Sequence, residues 1–139
     1  MGLFNLFNKT KKETPPAYQV GQEWYYQTRN GEENSTLKIV KIEEYEGIGK
    51  MVHISILDLK IKNPKYPNGL LNEVMHIPIA EYALRNSTIQ LKSDRCQLPD
   101  YEFGYVHWKN AYDQGQAGYF GIPLKEVIQY LQDGTYSEK

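Results

Sequence analysis

The dipeptide Asn30-Gly31 constrains this chain more than any other feature. It separates two runs of alternating apolar residues, "GQEWYYQT" and "NSTLKIVKIE". Asn-Gly favours a type I′ turn, which needs positive φ at both central residues. A two-residue loop there predicts a hairpin with Trp24 opposite Leu37, Glu23 opposite Lys38, Tyr26 opposite Ser35 and Arg29 opposite Glu32. Unlike charges then oppose each other and the large apolar pair shares a face, each pair contributing roughly 0.2–1 kcal/mol. The run Arg29-Asn30-Gly31-Glu32-Glu33 resembles an acid/base site, but this register uses Arg29 and Glu32 to close the hairpin.

The alternation downstream changes phase twice. Leu37 and Ile39 share one face while Val40 and Ile42 are out of step; Val52, Ile54 and Ile56 share a face while Leu57, Leu59 and Ile61 take the other. Side chains alternate with period two along a strand, so each strand either bulges or passes from one core to another. This predicts a curved antiparallel sheet.

"NPKYPNGLLN" reads as a loop, and "EVMHIPIA" as a strand with Met75, Ile77 and Ile79 inward, Pro78 marking an edge. Ala80, Ala83, Leu84, Ser87 and Leu91 fall on one helical stripe, weakened by Thr88 and Ile89. A helix over residues 101–114 is expected between Asp100 as N-cap and Gly115 as stop, with Tyr101, Gly104, Tyr105, Trp108, Ala111 and Tyr112 lying on the sheet. Residues 119–122 suit a short edge strand. Pro123 and Gly134 frame a helix whose apolar positions are Leu124, Val127, Ile128 and Leu131. The order ββββααβα predicts an α+β domain: a curved antiparallel sheet of four to five strands with its helices packed on one face.

At 139 residues the chain fits one domain, placed over residues 17–134 with a C-terminal tail at 135–139. Residues 1–16 form a short amphipathic, basic arm in which Leu3, Phe4, Leu6 and Phe7 share a side and Lys9, Lys11 and Lys12 follow. Such an arm either frays or docks on its own domain, or touches a membrane surface through those four apolar residues. It is too short to span a bilayer, and Leu6 stands where a myristoylation signal needs Ser or Thr.

A net charge of −1, with bases scattered among acids, supplies no field for nucleic acid. The single Cys96 rules out an internal disulfide and a multi-cysteine metal site, and fits a reducing cytosol. His53 in "HISI" and His76 in "HIPI" occupy similar strand contexts and meet only if their strands pair in register. Two histidines and a glutamate would suit zinc; no third ligand is spaced for it, so rim histidines are expected, with no metal and no cofactor. The pairs Glu32-Glu33 and Glu43-Glu44 are consecutive in strands and point to opposite faces, so neither pair shares a proton. Cys96 lacks a partner motif, and there is no phosphate-binding loop, dinucleotide pattern or GxSxG elbow. No catalytic residue is assigned.

Tyrosine is the outlier, at 12 of 139 residues. Either tyrosines sit half-buried at element edges, or they line a contact surface. The face opposite Trp24 carries the second reading: Tyr25, Gln27 and Arg29, with Glu32 across the turn, form the expected binding set.

The segments "GQEWYYQTRNGEENSTLKIVKIE", "VHISILDLKIKN" and "HIPIAEYALRNS" together resemble an uncharacterised family of small bacterial cytosolic proteins with the motif W-x-Y-x-T-R-x-x-E-E-x-S-x-L-x-I. The resemblance implies a bacterial cytosolic setting and brings no activity to any residue. The leading expectation is therefore an interaction module with a protein partner, of which single-domain immunity proteins are a fold-level analogue. The alternative is a small-ligand binder or enzyme with a pocket between sheet and helices.

Overall fold

The computed structural model describes residues 17–137, with side chains through residue 134; the arm expected over residues 1–16 lies outside the described residues. Among the described residues seven strands and three α-helices follow in the order β1 (Glu23–Tyr26), β2 (Thr36–Tyr45), β3 (Gly49–Leu57), β4 (Ile61–Lys62), β5 (Leu70–Leu71), β6 (Val74–Ala80), α1 (Glu81–Arg85), β7 (Thr88–Ser93), α2 (Glu102–Asp113) and α3 (Leu124–Ser137). The main sheet is open and antiparallel, in the order β6-β3-β2-β1-β7, with β4 and β5 forming a small separate ladder. The α+β class and the antiparallel sheet are those the sequence predicts.

The first hairpin has the expected register: Glu23 pairs with Lys38, Trp24 with Leu37 and Tyr25 with Thr36. The Tyr26 and Ser35 hydroxyls also meet, 2.7 Å apart. The turn itself differs. The Glu32 N–H donates to the Arg29 carbonyl, but of the two central residues only Gly31 has positive φ, +89°. That is the type II pattern, with glycine supplying the left-handed residue. The β1–β2 ladder ends at Tyr25–Thr36, and beyond it the Gln27 N–H donates to the Ser87 carbonyl on the opposite side of β1.

Both phase changes have a local cause. In β2 the register slips between Ile39 and Lys41, so Val40 is the extra residue of a bulge and stays buried beside Ile39. After β3, Asp58 takes φ +57°, which ends the strand and lets Leu59 and Ile61 return to the same core as Ile54.

The expected placement of every helix on one face is corrected. Ala83 and Leu84 of α1 and Leu124, Val127 and Ile128 of α3 join the cluster built by Leu37, Ile39, Val52, Ile54, Ile77 and Ile79. α2 lies on the other side, against His53 and His76. The element order is corrected too. The helical stripe from Ala80 runs only through Arg85; Thr88 and Ile89, β-formers both, begin β7 against β1. Phe120 makes a single parallel bridge to Ile79, at the edge strand that Pro78 marks. Tyr101, not Asp100, is the N-cap of α2 and makes no side-chain cap, and α3 runs through Gly134 to Ser137.

Candidate functional site

The most unusual chemistry lies under α2, and the Val40 bulge creates it. With strict alternation from Leu37 and Ile39, Lys41 and Glu43 would point into the apolar core. One extra residue reverses every later side chain, so Lys41, Glu43 and Tyr45 join His53 on the opposite face. A second bulge, in β6, sets Met75 and His76 against Ser55; Met75, expected inward with Ile77 and Ile79, is half-buried there. The Ser55 hydroxyl donates to the Met75 carbonyl at 2.6 Å.

Three groups then form a chain. Glu43 Oε1 lies 2.9 Å from His53 Nε2, and His53 Nδ1 lies 2.8 Å from His76 Nε2. Tyr45 donates its hydroxyl to Glu43 Oε1 at 2.7 Å, and Tyr105 of α2 donates to Glu43 Oε2. The His53 and His76 rings lie edge to edge and nearly parallel, 19° apart with centroids at 5.0 Å, and Trp108 closes over His53 at 5.0 Å. Gly104 is what lets α2 approach: a Cβ there would stand 3.0 Å from the His76 Cβ. The Trp108 indole N–H is satisfied by the Gly118 carbonyl at 2.8 Å.

The directions of these bonds follow from Glu43. Burial would raise its carboxyl, but the hydrogen bonds from Tyr105, Tyr45 and His53 outweigh that and hold it below the usual carboxylate range. An ionised carboxylate only accepts, so His53 carries its proton on Nε2. Burial, opposed by Glu43, holds the fully buried His53 below the usual imidazole range. A neutral His53 leaves Nδ1 to accept, so His76 donates through Nε2. His76 is pushed down to about 4, by burial first and by His53 second. Its Nδ1 is the proton-accepting end of an oriented carboxylate–imidazole–imidazole relay. The same contacts hold the Tyr45 and Tyr105 phenols above their usual range, through burial and the Glu43 charge.

The histidines that the sequence places on a rim therefore meet in the interior. Two imidazoles bonded to each other and a carboxylate already held by His53 are too few to cage an ion, and no group of three or more metal-ligating side chains occurs among the described residues. Strand alternation separates one pair of carboxylates as expected: Glu43 faces the relay while Glu44 is exposed. Glu32 and Glu33 lie in the turn, outside any strand, and there Glu32 is buried by its bonds to Arg29 and Lys60 while Glu33 is exposed. Cys96 stands in the loop before α2, and burial pushes its thiol up, which keeps it protonated at neutral pH.

The four residues expected to share one open face do not. Tyr25 is exposed, with the Lys92 ammonium 5.7 Å from its ring centroid, and Gln27 is exposed beside it. Arg29 instead forks onto Glu32, with Nε–Oε1 2.8 Å and Nη2–Oε2 2.7 Å. It also donates to the Gln129 and Gln132 side chains of α3, at 2.9 and 3.2 Å. Glu32 is only 2% exposed and accepts the Lys60 N–H at 2.7 Å. Burial opposes its ionisation, and Arg29 with Lys60 overcomes that. Arg29 and Glu32 thus fasten the first turn to β4 and α3, and leave the binding set.

Exposed aromatics gather elsewhere. Tyr130 on α3 is 61% exposed and Tyr82 on α1 is 56% exposed. Between them runs the 118–122 segment. Phe120 meets the Tyr130 ring edge-on at 6.0 Å, and the Tyr82 hydroxyl lies so close to Gly121 that a Cβ there would collide with it. Gly118, Tyr119, Phe120 and Tyr130 surround a cavity of about 260 Å³, with Ile122 exposed nearby. The tyrosine content is the sequence signal for such a surface; its location depends on the Phe120 bridge, which one bridged residue does not announce. Among the described residues no helix is long and apolar enough to cross a membrane. No family model matches the chain, and neither a curated protein nor a solved structure is significantly similar to it.

Proposed function

We propose that this chain is a protein-binding module whose contact surface is the aromatic patch of Tyr82, Tyr119, Phe120, Ile122 and Tyr130. The observation that carries the reading is the solvent-facing Tyr130 beside a cavity of about 260 Å³ lined by Gly118, Tyr119 and Phe120, with the exposed Tyr82 against the adjoining Gly121. Tyrosine is the residue contact surfaces use most readily, because it offers large rigid area with a hydroxyl at the rim. A cavity of that size takes one aliphatic or aromatic side chain from a partner's loop or helix. A cytosolic bacterial setting and an immunity-like role for this chain, with a protein partner, are part of the same proposal.

The test starts from a partner recovered by co-purification. Tyr130→Ala and Tyr82→Ala should each weaken its binding by about tenfold or more while leaving the melting temperature near that of the parent. Equal loss of stability and affinity would make the patch scaffold.

A second reading, a small-ligand binder or enzyme, is favoured by one observation: His76 is the less buried end of an oriented relay. Acylation by diethyl pyrocarbonate tests it. His76 must react in the native protein at a rate near that of the exposed His107, and a protected His76 rules the reading out.

A further inference from the structure

We propose that the His53–His76 pair is a proton-operated latch that holds α2 on the sheet at neutral pH and releases it in mild acid while the sheet stays folded. The first support is geometric. The two imidazoles face each other through His53 Nδ1 and His76 Nε2 at 2.8 Å, a contact that needs one bare nitrogen and one N–H. A first proton on His76 Nδ1 leaves that contact intact. A second, on His53 Nδ1, sets N–H against N–H between two cations, so the doubly protonated pair must part.

The second support is how lightly α2 is held. Trp108 is its only buried residue, and the helix rests on the latch itself: Tyr105 and Trp108 both pack on both imidazoles. Its other attachments are polar or peripheral: the Tyr105 bond to Glu43, the Trp108 N–H bond to the Gly118 carbonyl, the Tyr45–Tyr112 ring contact at 5.3 Å, and the Lys41 and Lys109 ammoniums over the Tyr105 and Tyr45 rings. Sub-global opening is cheapest where buried apolar contact is least.

Every charged or titratable group facing the pair acts in a definite direction. From β2, Glu43 favours protonation and Lys41 opposes it; from α2, Lys109 opposes it, though Asp113 draws its ammonium away at 2.8 Å. Tyr45 and Tyr105 stay neutral throughout. Opening returns both imidazoles to water and to the ordinary range near about 6.5. The released state therefore binds more protons, and acid favours it below that value. Each histidine contributes at most about tenfold per pH unit to the opening equilibrium. Release uncovers the aromatic side of α2 and the polar face of the sheet together, a surface that neutral pH hides.

Hydrogen exchange of the full chain, read by mass spectrometry and corrected for intrinsic rates, tests this between about pH 7 and about pH 5. Protection of residues 102–113 should fall by about tenfold or more across that interval, while β2 and β3 keep theirs. The pH dependence should vanish in His53→Gln/His76→Gln. Tyr112→Leu removes ring contacts with Tyr45 and Trp108 but no hydrogen bond to Glu43 or the imidazoles, so it should raise exchange by the same factor at both pH values. Simultaneous loss of protection in α2 and β3, or an unchanged α2, would overturn the latch. So would a pH dependence that survives the double variant or is altered by Tyr112→Leu.

Discussion

The two faces of one sheet are built on different rules, and β3 shows both within six residues. Met51, Val52, His53, Ile54, Ser55 and Ile56 are all buried. Val52, Ile54 and Ile56 meet aliphatic side chains from β2, β6, α1 and α3, where attraction scales with area and any well-shaped hydrocarbon serves. His53 and Ser55 meet a carboxylate, an imidazole and a carbonyl. There stability depends on whether each polar atom finds its one partner, and no buried side-chain nitrogen or oxygen among the described residues lacks one. Equal burial thus conceals unequal tolerance: the apolar face should accept changes of shape, and the polar face should not accept changes of chemistry.

Four measurements can break or sharpen that contrast. Ile54→Ala, which empties the centre of the apolar face, should cost about 4 kcal/mol in urea unfolding, and Ile54→Val only about 1 kcal/mol. His53→Leu keeps most of the volume but strands the His76 N–H and removes a donor from Glu43, so a loss of about 3 kcal/mol is expected. A loss below about 1 kcal/mol would show the polar face to be packed like the other. Tyr105→Phe, a single hydroxyl, should cost about 1.5 kcal/mol, against nearly nothing for the same change at the exposed Tyr130.

The smallest effect is a pH dependence. Folded-state values depressed for His53 and His76 mean that the unfolded chain binds protons first. The stability they give is complete above about pH 6.5 and is lost as pH falls, the His76 share as pH passes through about 4. Between about pH 7 and about pH 5 the parent should lose on the order of 1 kcal/mol and His76→Gln clearly less. Glu43 and Glu32, whose values are also lowered, act in the same direction but only below about pH 4.5. Equal acid sensitivity in parent and variant would remove the histidines from the account.

The sequence carries the register of the first hairpin, because the charge pairing and the apolar pair agree on it. It also signals the bulge in β2, through the phase change at Val40. What it does not convey is that the bulge serves the relay: Glu43 reaches His53 only when two strands and a reversed parity combine. Tyr105 reaches Glu43 from 62 positions away. The single-face placement of the helices fails for a related reason. Two apolar stripes of similar strength do not say which side of a sheet each will cover, and here β3 buries both of its faces. The segment around Thr88 becomes a strand because β1 offers it a vacant edge, a tertiary demand that a short helical stripe does not outweigh.

The strand order also fixes the sequence of events by which the domain is made. Strands β1, β2, β3 and β6 add side by side as the chain emerges, each beside the one before. β7 does not pair beside β6; the chain crosses by way of α1 to the far side of β1. Until residues 88–93 leave the ribosome, the outer edge of β1 stays open, and at about 5–20 residues per second that interval lasts several seconds. Long-range pairing of this kind is slow to form, so the nascent chain carries a sticky strand edge until β7 arrives. The strand that closes it arrives just before the helix that covers the relay.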